Sequence, residues 1–269
     1  LSDRTIRLEA LQYATLAFLW LGDFRRYEHL LGEIEQTSTS DDFPSRIWWY
    51  WSKAVYINQA PSGPATAIPY IEKGMELSVH HGIMFWVPFF LAEQFNAAAS
   101  GGNIDEAREI LTRMESILDD PPGFFHIRYH SASALYHVLT NDVGRALANG
   151  KEALGLAVTS GHRLLEGLTR LWYAFVLAEA GEYDEAEGQI REYERLPVTS
   201  STMLAYLSLI LRSTLALNRG TADGEGFLRE AFATGRREGY GMPYCWWQPD
   251  LLVRLCTAAL QWGIEVDHV

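Results

Sequence analysis

The sequence has little cysteine and lacks the motifs that bind nucleotides. Cys245 and Cys256 are the two cysteines in 269 residues, too few for a disulfide framework. If one helix carried both, their separation of eleven positions would span roughly 16 Å, beyond the reach of a disulfide bond. No Gly-x4-Gly-Lys-Ser/Thr phosphate loop occurs, so we expect no ATPase site in this chain. The scarcity of cysteine favours a reducing, cytoplasmic setting.

Basic residues and long apolar runs are also scarce. Lys and Arg total 22 against 34 Asp and Glu, a formal charge of −12. This balance argues against direct contact of this domain with nucleic acid, and against an anionic membrane surface. The longest uncharged apolar stretches, Ile83 to Ala92 and Thr199 to Leu211, are too short to span a membrane. We therefore expect no nucleic-acid contact and no membrane association.

The two ends of the sequence shape a further expectation. The chain begins at Leu1 without a basic, secretory-type segment, and it stops at Val269 just as a new pattern starts after Gly263. We interpret it as an excised piece of a longer protein, folded as a single domain over residues 1–269.

What the sequence does contain is a repeat. Turn-like segments recur at Gly22, Gly102, Asn141, Gly181 and Gly220, a spacing of about 40 residues once a copy near the Pro61–Pro64 run is included. Glycine suits the left-handed residue that ends a helix, and a following Asp or Asn suits the cap of the next. Each turn therefore predicts a helix pair.

The segments between the turns have helical rather than strand periodicity. A small residue five positions after the turn, at Ala107, Ala146 and Ala186, favours close packing of the two helices in a pair. Helix ends at Gly82, Gly161 and Gly239 add a superrepeat of about 79 residues. We predict an all-α, right-handed α-α superhelix of about six helix pairs plus a final helix from about Pro243 to Trp262, some thirteen helices in total.

A long aromatic-rich helix, a Gly-Asp/Glu turn and an Ala-x3-Leu/Ile second helix resemble the tetratricopeptide (TPR) repeat, although the period is longer than the standard 34 residues. Repeats of this length resemble the sensor domain of MalT-type regulators, bacterial ATP-dependent transcriptional activators of the STAND class. The closing segment from Trp247 to Glu265 resembles the end of that array in LuxR-type activators. The resemblance implies that a small inducer or a regulatory protein binds the solenoid and releases an autoinhibited state.

Aromatic clusters on the first helices are the best candidates for a binding face. Residues 48–51 are four consecutive aromatics, which point in all directions around a helix and cannot all enter one core. The resemblance implies that first helices line the concave surface, and aligning the turns by the period places ten residues there: Trp48, Trp51, Phe89, Glu93, Asn96, Arg128, Ser131, Leu168, Trp172 and Phe175. The alternative is that these aromatics pack between repeats.

Catalytic and metal-binding patterns are weak. His126 and His130 lie four residues apart, and His137 follows, but packing or surface roles are the commoner outcome because no His-Glu-x-x-His motif is present. No Gly-x-Ser-x-Gly elbow occurs, and neither cysteine has a neighbouring base. We expect no cofactor, no metal and no enzyme activity.

Three hypotheses remain at this point. The first is a sensor domain that binds an inducer or partner on the concave face, where Arg128 is suited to a carboxylate or phosphate. The second is a plain TPR scaffold that recognises a peptide or helix and has no metabolite site. The third, an enzyme, requires that part of its site lie outside this sequence.

Overall fold

The computed structural model describes residues 3–59, 64–118, 122–198, 200–241 and 249–266. These ranges contain thirteen α-helices and two short 3₁₀ turns, and no strand. The prediction of an all-α chain with thirteen helices is therefore confirmed for the described residues. The helices fall into two compact units, and the expectation of one domain over 1–269 stays a prediction.

The first unit comprises residues 1–117 together with 238–244. Within it, α1 packs mainly on α2, α3 on α4 and α5 on α6, and the first helices α3 and α5 also contact each other. Short 3₁₀ turns precede α4 and α5. The elements are α1 (Asp3–Leu21), α2 (Phe24–Thr37), α3 (Phe43–Gln59), a 3₁₀ turn (Pro64–Ala67), α4 (Ile68–His80), a 3₁₀ turn (Met84–Trp86), α5 (Val87–Ser100) and α6 (Ile104–Glu115).

The second unit comprises residues 118–237 and 245–269. Its pairs are α7 with α8 and α9 with α10, and the first helices follow the same rule as in the first unit, because α9 contacts both α7 and α11. The final helix also contacts α11. The elements are α7 (Phe124–Leu139), α8 (Val143–Thr159), α9 (Arg163–Glu179), α10 (Tyr183–Glu194), α11 (Thr202–Arg219), α12 (Gly224–Glu238) and α13 (Pro249–Gln261).

The residues between the helices confirm the predicted turns. The seven glycines proposed as turns or helix ends all have positive φ, as does Gly263, with values between 60° at Gly263 and 82° at Gly22 and Gly181, and Asn141 has φ 58°. A left-handed residue lets the chain reverse, and glycine adopts it without the clash that a Cβ would cause. The predicted turn at residues 61–63 lies outside the described residues, as does the predicted start of the final helix.

The capping prediction is correct at some turns and wrong at others. Asp23 accepts a hydrogen bond from the Arg26 backbone N–H at 3.1 Å, and Asp142 accepts one from the Arg145 N–H at 3.2 Å. Asn103 precedes α6 without such a bond, and its amide instead lies 3.5 Å from the Glu106 carboxylate. An Asn or Asp that follows a turn glycine therefore does not by itself ensure a capped helix.

The small residues after the turns lie where helices meet. Ala107 and Ala186 are fully buried and Ala146 is 2% exposed. On α10, Ile190 and Tyr193 are buried on the same face as Ala186, as the sequence periodicity predicts. Each second helix is therefore amphipathic, with one stripe in the core of its unit.

Residues 238–241 pack on the first unit in a way that the repeat does not predict. The Tyr240 hydroxyl donates a hydrogen bond to the Gly22 carbonyl, and the Tyr240 ring meets Phe24 edge-on with centroids 5.0 Å apart. The Gly241 N–H donates to the Gln59 carbonyl at 2.9 Å. These contacts join segments as far as 218 residues apart, whereas ideal solenoid repeats contact their sequence neighbours.

No helix among the described residues is both long enough and apolar enough to cross a bilayer.

Candidate functional site

The ten residues predicted to line a concave face are divided between the two units. Five lie on the first helices α3 and α5 of the first unit, and five lie on α7 and α9 of the second. None of the ten is largely exposed. The first set is Trp48, Trp51, Phe89, Glu93 and Asn96, and the second is Arg128, Ser131, Leu168, Trp172 and Phe175.

The four consecutive aromatics of α3 do separate, as their 100° steps require. Trp48 is 5% exposed and packs in the core formed with α1 and α2, where Leu8 and Leu31 are its neighbours. Trp51 faces α5. Trp49 and Tyr50 point to another side of the helix, towards Tyr70 of α4. Trp48 is therefore a core residue, which matches the alternative that some of these aromatics pack between helices.

Trp51 belongs to a group that we call the aromatic cluster, which also contains Phe85, Trp86 and Phe89. The Trp51 ring centroid lies 5.5 Å from that of Trp86 and 5.4 Å from that of Phe89, and Trp86 and Phe89 are 5.1 Å apart. Phe85 is 62% exposed and the adjacent Met84 is 55% exposed. The cluster thus extends from the α3–α5 contact out to solvent.

One to two turns further along the same helices lies a group that we call the polar cluster, made of Asn58, Glu93 and Asn96. Glu93 is 1% exposed, and its Oε2 atom accepts hydrogen bonds from the Asn58 amide at 2.8 Å and the Asn96 amide at 3.4 Å. The three side chains bring a carboxylate and two amides together inside the first unit. Such a concentration of buried hydrogen-bonding groups is unusual in a helical core.

Asn58 is the most informative member of the polar cluster. Asn58 is 2% exposed, and its Oδ1 atom has no hydrogen-bond partner among the described residues. A buried acceptor left unpaired costs about 1–3 kcal/mol. Sites that bind a donor from a ligand tolerate this cost in the free protein, because the ligand supplies the missing bond.

In the second unit, the rings of Trp172 and Phe175 stack on each other in the interior and do not form an exposed surface. Trp172 is 4% exposed and Phe175 is fully buried, and their rings are 5.2 Å apart and inclined by 20°. The Trp172 Nε1 atom is buried without a partner in the described part of the chain. Arg128, Ser131 and Leu168 are each half-buried.

The second unit also holds a buried carboxylate, Glu166, which forms ion pairs with two arginines. Glu166 is 3% exposed and binds Arg170 through two hydrogen bonds of 3.0 and 2.8 Å and Arg163 through one of 2.8 Å. Burial raises the pKa of Glu166, but the hydrogen bonds and charges of the two arginines outweigh it and hold the pKa below its ordinary value. Glu166 is therefore part of a structural ion-pair network.

Two of the three histidines singled out from the sequence have local hydrogen-bond partners. His126 Nδ1 accepts a hydrogen bond from the Gly123 N–H at 3.1 Å at the start of α7, and His130 lies 2.9 Å from the Asn149 side chain. Burial lowers the pKa of His137, with Asp142 3.8 Å away acting in the opposite direction. Within the described ranges, no three His, Cys, Asp or Glu residues lie close enough together to hold a metal ion.

Sequence reasoning missed Asn58 and Trp86 as neighbours of the predicted residues. Asn58 lies seven positions after Trp51, two turns along α3, just as Asn96 lies seven after Phe89 on α5. This matched spacing was the available signal. The alignment of repeats was weakest here because the turn after α3 carries Pro61 and Pro64 in place of the Gly-Asp pattern.

Comparison with known proteins gives no relative: no family model matches the chain, and neither a curated protein nor a solved structure matches it.

Proposed function

We propose that this chain is the non-catalytic sensor domain of a bacterial transcriptional regulator of the MalT type. In this proposal, a small inducer or a regulatory protein binds the α3–α5 face, at the aromatic and polar clusters. The helix pairs would form a right-handed TPR-like solenoid in the cytoplasm. Support for the repeat comes from the left-handed turns and from the contacts between successive first helices, α3 with α5 and α9 with α7 and α11.

The single observation that carries the proposal is the unpaired Asn58 Oδ1 atom beside the buried Glu93 carboxylate. Both are hydrogen-bond acceptors, so they favour a ligand with N–H or O–H donors. Aromatic rings at Trp51 and Phe89, one to two turns away on the same helices, would pack on the apolar part of that ligand. A rigid aromatic wall with a few polar groups is typical of small-molecule sites.

A thermal-shift screen of sugars, amino acids and nucleotides tests the site, because a ligand that binds only the folded state raises the melting temperature. The variant Phe85→Ala removes an exposed ring and should lower the affinity of a hit about tenfold, with little change in the melting temperature without ligand. Tyr13→Ala, which removes an exposed ring of α1, should leave affinity unchanged.

A second variant tests the role of the unpaired Asn58 Oδ1 atom. Asn58→Leu removes Oδ1 and should abolish binding of the same hit, while Asn149→Leu on α8 should not. Hits that bind both Phe85→Ala and Asn58→Leu as tightly as the parent would contradict the proposed location. The complete gene tests the family: we expect an upstream phosphate-loop ATPase and a downstream helix-turn-helix, and their absence would contradict the MalT-type assignment.

The exposed pair Met84 and Phe85 favours a second candidate, a TPR scaffold that recognises a peptide or helix. Replacing Phe85 with a photoreactive benzoyl-phenylalanine tests it in cells. A crosslink to one polypeptide, together with a flat metabolite screen, would favour the scaffold over the sensor.

A further inference from the structure

We propose that the first unit contains a separate small-molecule site, in a cavity between α2 and α3, that binds a free amino acid with an apolar side chain. The cavity has a volume of about 300 Å³ and lies where α2 ends and α3 begins. This is the lower end of the range for ligand pockets and suits a small metabolite. It is lined by Glu35, Ser38, Thr39, Ser40, Arg46, Trp49 and Tyr50.

One wall of this cavity is aromatic and held in place. The Trp49 Nε1 atom donates a hydrogen bond to the Leu31 carbonyl at 3.0 Å, which fixes the indole. Tyr50 meets Trp49 edge-on with centroids 5.1 Å apart, and Tyr70 supports Trp49 from 5.9 Å. A fixed aromatic surface binds an apolar group without losing rotamer freedom, so it favours an apolar ligand side chain.

Two opposite charges line the cavity, the Arg46 guanidinium and the exposed Glu35 carboxylate, and they form no ion pair with each other. Arg46 is half-buried, and its Nη1 atom donates to the Ser40 carbonyl at 3.2 Å. Neither Arg46 nor Glu35 forms an ion pair with any described residue, although both line the same cavity. A guanidinium with free donors binds a carboxylate through two parallel hydrogen bonds, and a free carboxylate binds an ammonium group. A ligand that carries both groups would satisfy both side chains.

The hydroxyl groups around the cavity strengthen the preference for an ammonium group. The Ser38 hydroxyl donates to the Ile34 carbonyl at 2.7 Å, and the Ser40 hydroxyl donates to the Asp41 carboxylate at 3.3 Å. Because their protons are engaged, their oxygen atoms can serve a ligand only as acceptors. An ammonium group is the ligand donor that such acceptors and Glu35 suit.

Together these features match a free amino acid: its carboxylate would bind Arg46, its ammonium group would bind Glu35 and the serine oxygens, and its side chain would lie on Trp49 and Tyr50. The site shares no residue with the aromatic or polar cluster. The proposal therefore does not depend on the proposed function of the α3–α5 face.

Isothermal titration of the 269-residue chain with each of the twenty protein amino acids tests this site. For the tightest binder, the analogues that lack the carboxylate or the ammonium group are titrated as well. Arg46→Gln and Glu35→Gln should each weaken binding about tenfold or more, the effect of losing one charge-assisted contact of about 1.4 kcal/mol. The exposed controls Arg4→Gln and Glu9→Gln, both on α1, should not change it. Arg46→Gln should also leave the affinity of the amine-only analogue unchanged.

The proposal is overturned if none of the amino acids binds at about 10 mM, a concentration at which even millimolar affinity is detected. Binding that survives both Arg46→Gln and Glu35→Gln would overturn it equally. An amino acid whose affinity falls in Phe85→Ala but not in Arg46→Gln would belong to the aromatic cluster, which would support the proposed function and contradict this second site.

Discussion

Gly74, in the middle of α4, offers a sharp test of how the first unit is packed. A Cβ atom at this position would lie 2.1 Å from Phe90 Cζ, 2.4 Å from Phe90 Cε1 and 2.9 Å from Tyr50 Cβ. Phe90 is fully buried on α5, in the core that contains Ile47 and Ile71. Because its ring is fully buried, a methyl group at residue 74 must displace part of the core.

Two opposing effects set the size of the Gly74→Ala change. Alanine gains about 1 kcal/mol over glycine inside a helix. Overpacking a dense core costs about 1–3 kcal/mol and more where backbones must separate. Because the distances from the added methyl group to Phe90 would be far below van der Waals contact, we expect the upper part of that range and a net loss of about 2 kcal/mol.

Gly155 provides the matched control in α8. It is exposed, and nothing lies within 4 Å of the Cβ that alanine would add. Gly155→Ala should therefore stabilise the chain by about 0.5–1 kcal/mol through helix propensity alone. The opposite signs of the two substitutions separate packing from propensity.

Urea denaturation followed by far-UV circular dichroism measures both variants. The double variant Gly74→Ala/Phe90→Leu should be more stable than the sum of the single changes predicts, by about 1 kcal/mol or more, because the smaller side chain makes room for the methyl group. A Gly74→Ala protein as stable as the parent, or a double variant without coupling, would show that α4 does not approach α3 and α5 this closely.

Three further predictions concern the packed and charged interior. Trp48→Ala should cost about 3–5 kcal/mol in the same denaturation assay, because Trp48 is a core residue, and a loss below about 1 kcal/mol would instead place it on a surface. Glu166→Gln should cost about 3 kcal/mol by leaving Arg170 poorly paired. Since the lowered pKa of Glu166 stabilises the fold above the ordinary value of 4.5 and this is lost as pH falls through the folded pKa, the Gln variant should lose less stability than the parent below pH 4.5. Tyr240→Phe should cost about 1 kcal/mol, because the Gly22 carbonyl keeps its bond from the Phe24 N–H, and faster amide exchange at Gly241 would report the loosened segment.

Much of the local structure could be predicted because it follows from local chemistry. Gly102 and Gly181 end helices since glycine adopts positive φ, and Ala107 and Ala186 are buried since close helix packing requires a small side chain. The caps were less predictable. Asp23 caps α2 whereas Asn103 does not cap α6, although both residues directly follow a turn glycine.

The positions of several candidate residues follow from helical spacing. Trp51, Phe89, Glu93 and Asn96 do share the α3–α5 face, because they recur at helical spacing on two neighbouring first helices. Trp48 is predicted for the same face but packs in the core with α1 and α2. Periodicity gives the angle between two side chains on a helix, and it does not say which neighbouring helix covers each angle.

The sequence by itself determined that this chain is helical, that its helices come in pairs of about 40 residues, and where nearly every pair turns, because these features depend on backbone preferences within a few residues. The tertiary structure alone decided which polar groups meet. The Asn58 amide reaches Glu93 across 35 positions, and Tyr240 reaches Gly22 across 218. Such contacts depend on how whole helices pack, and the free energy of that packing is summed over many side chains at once, so no local pattern encodes it.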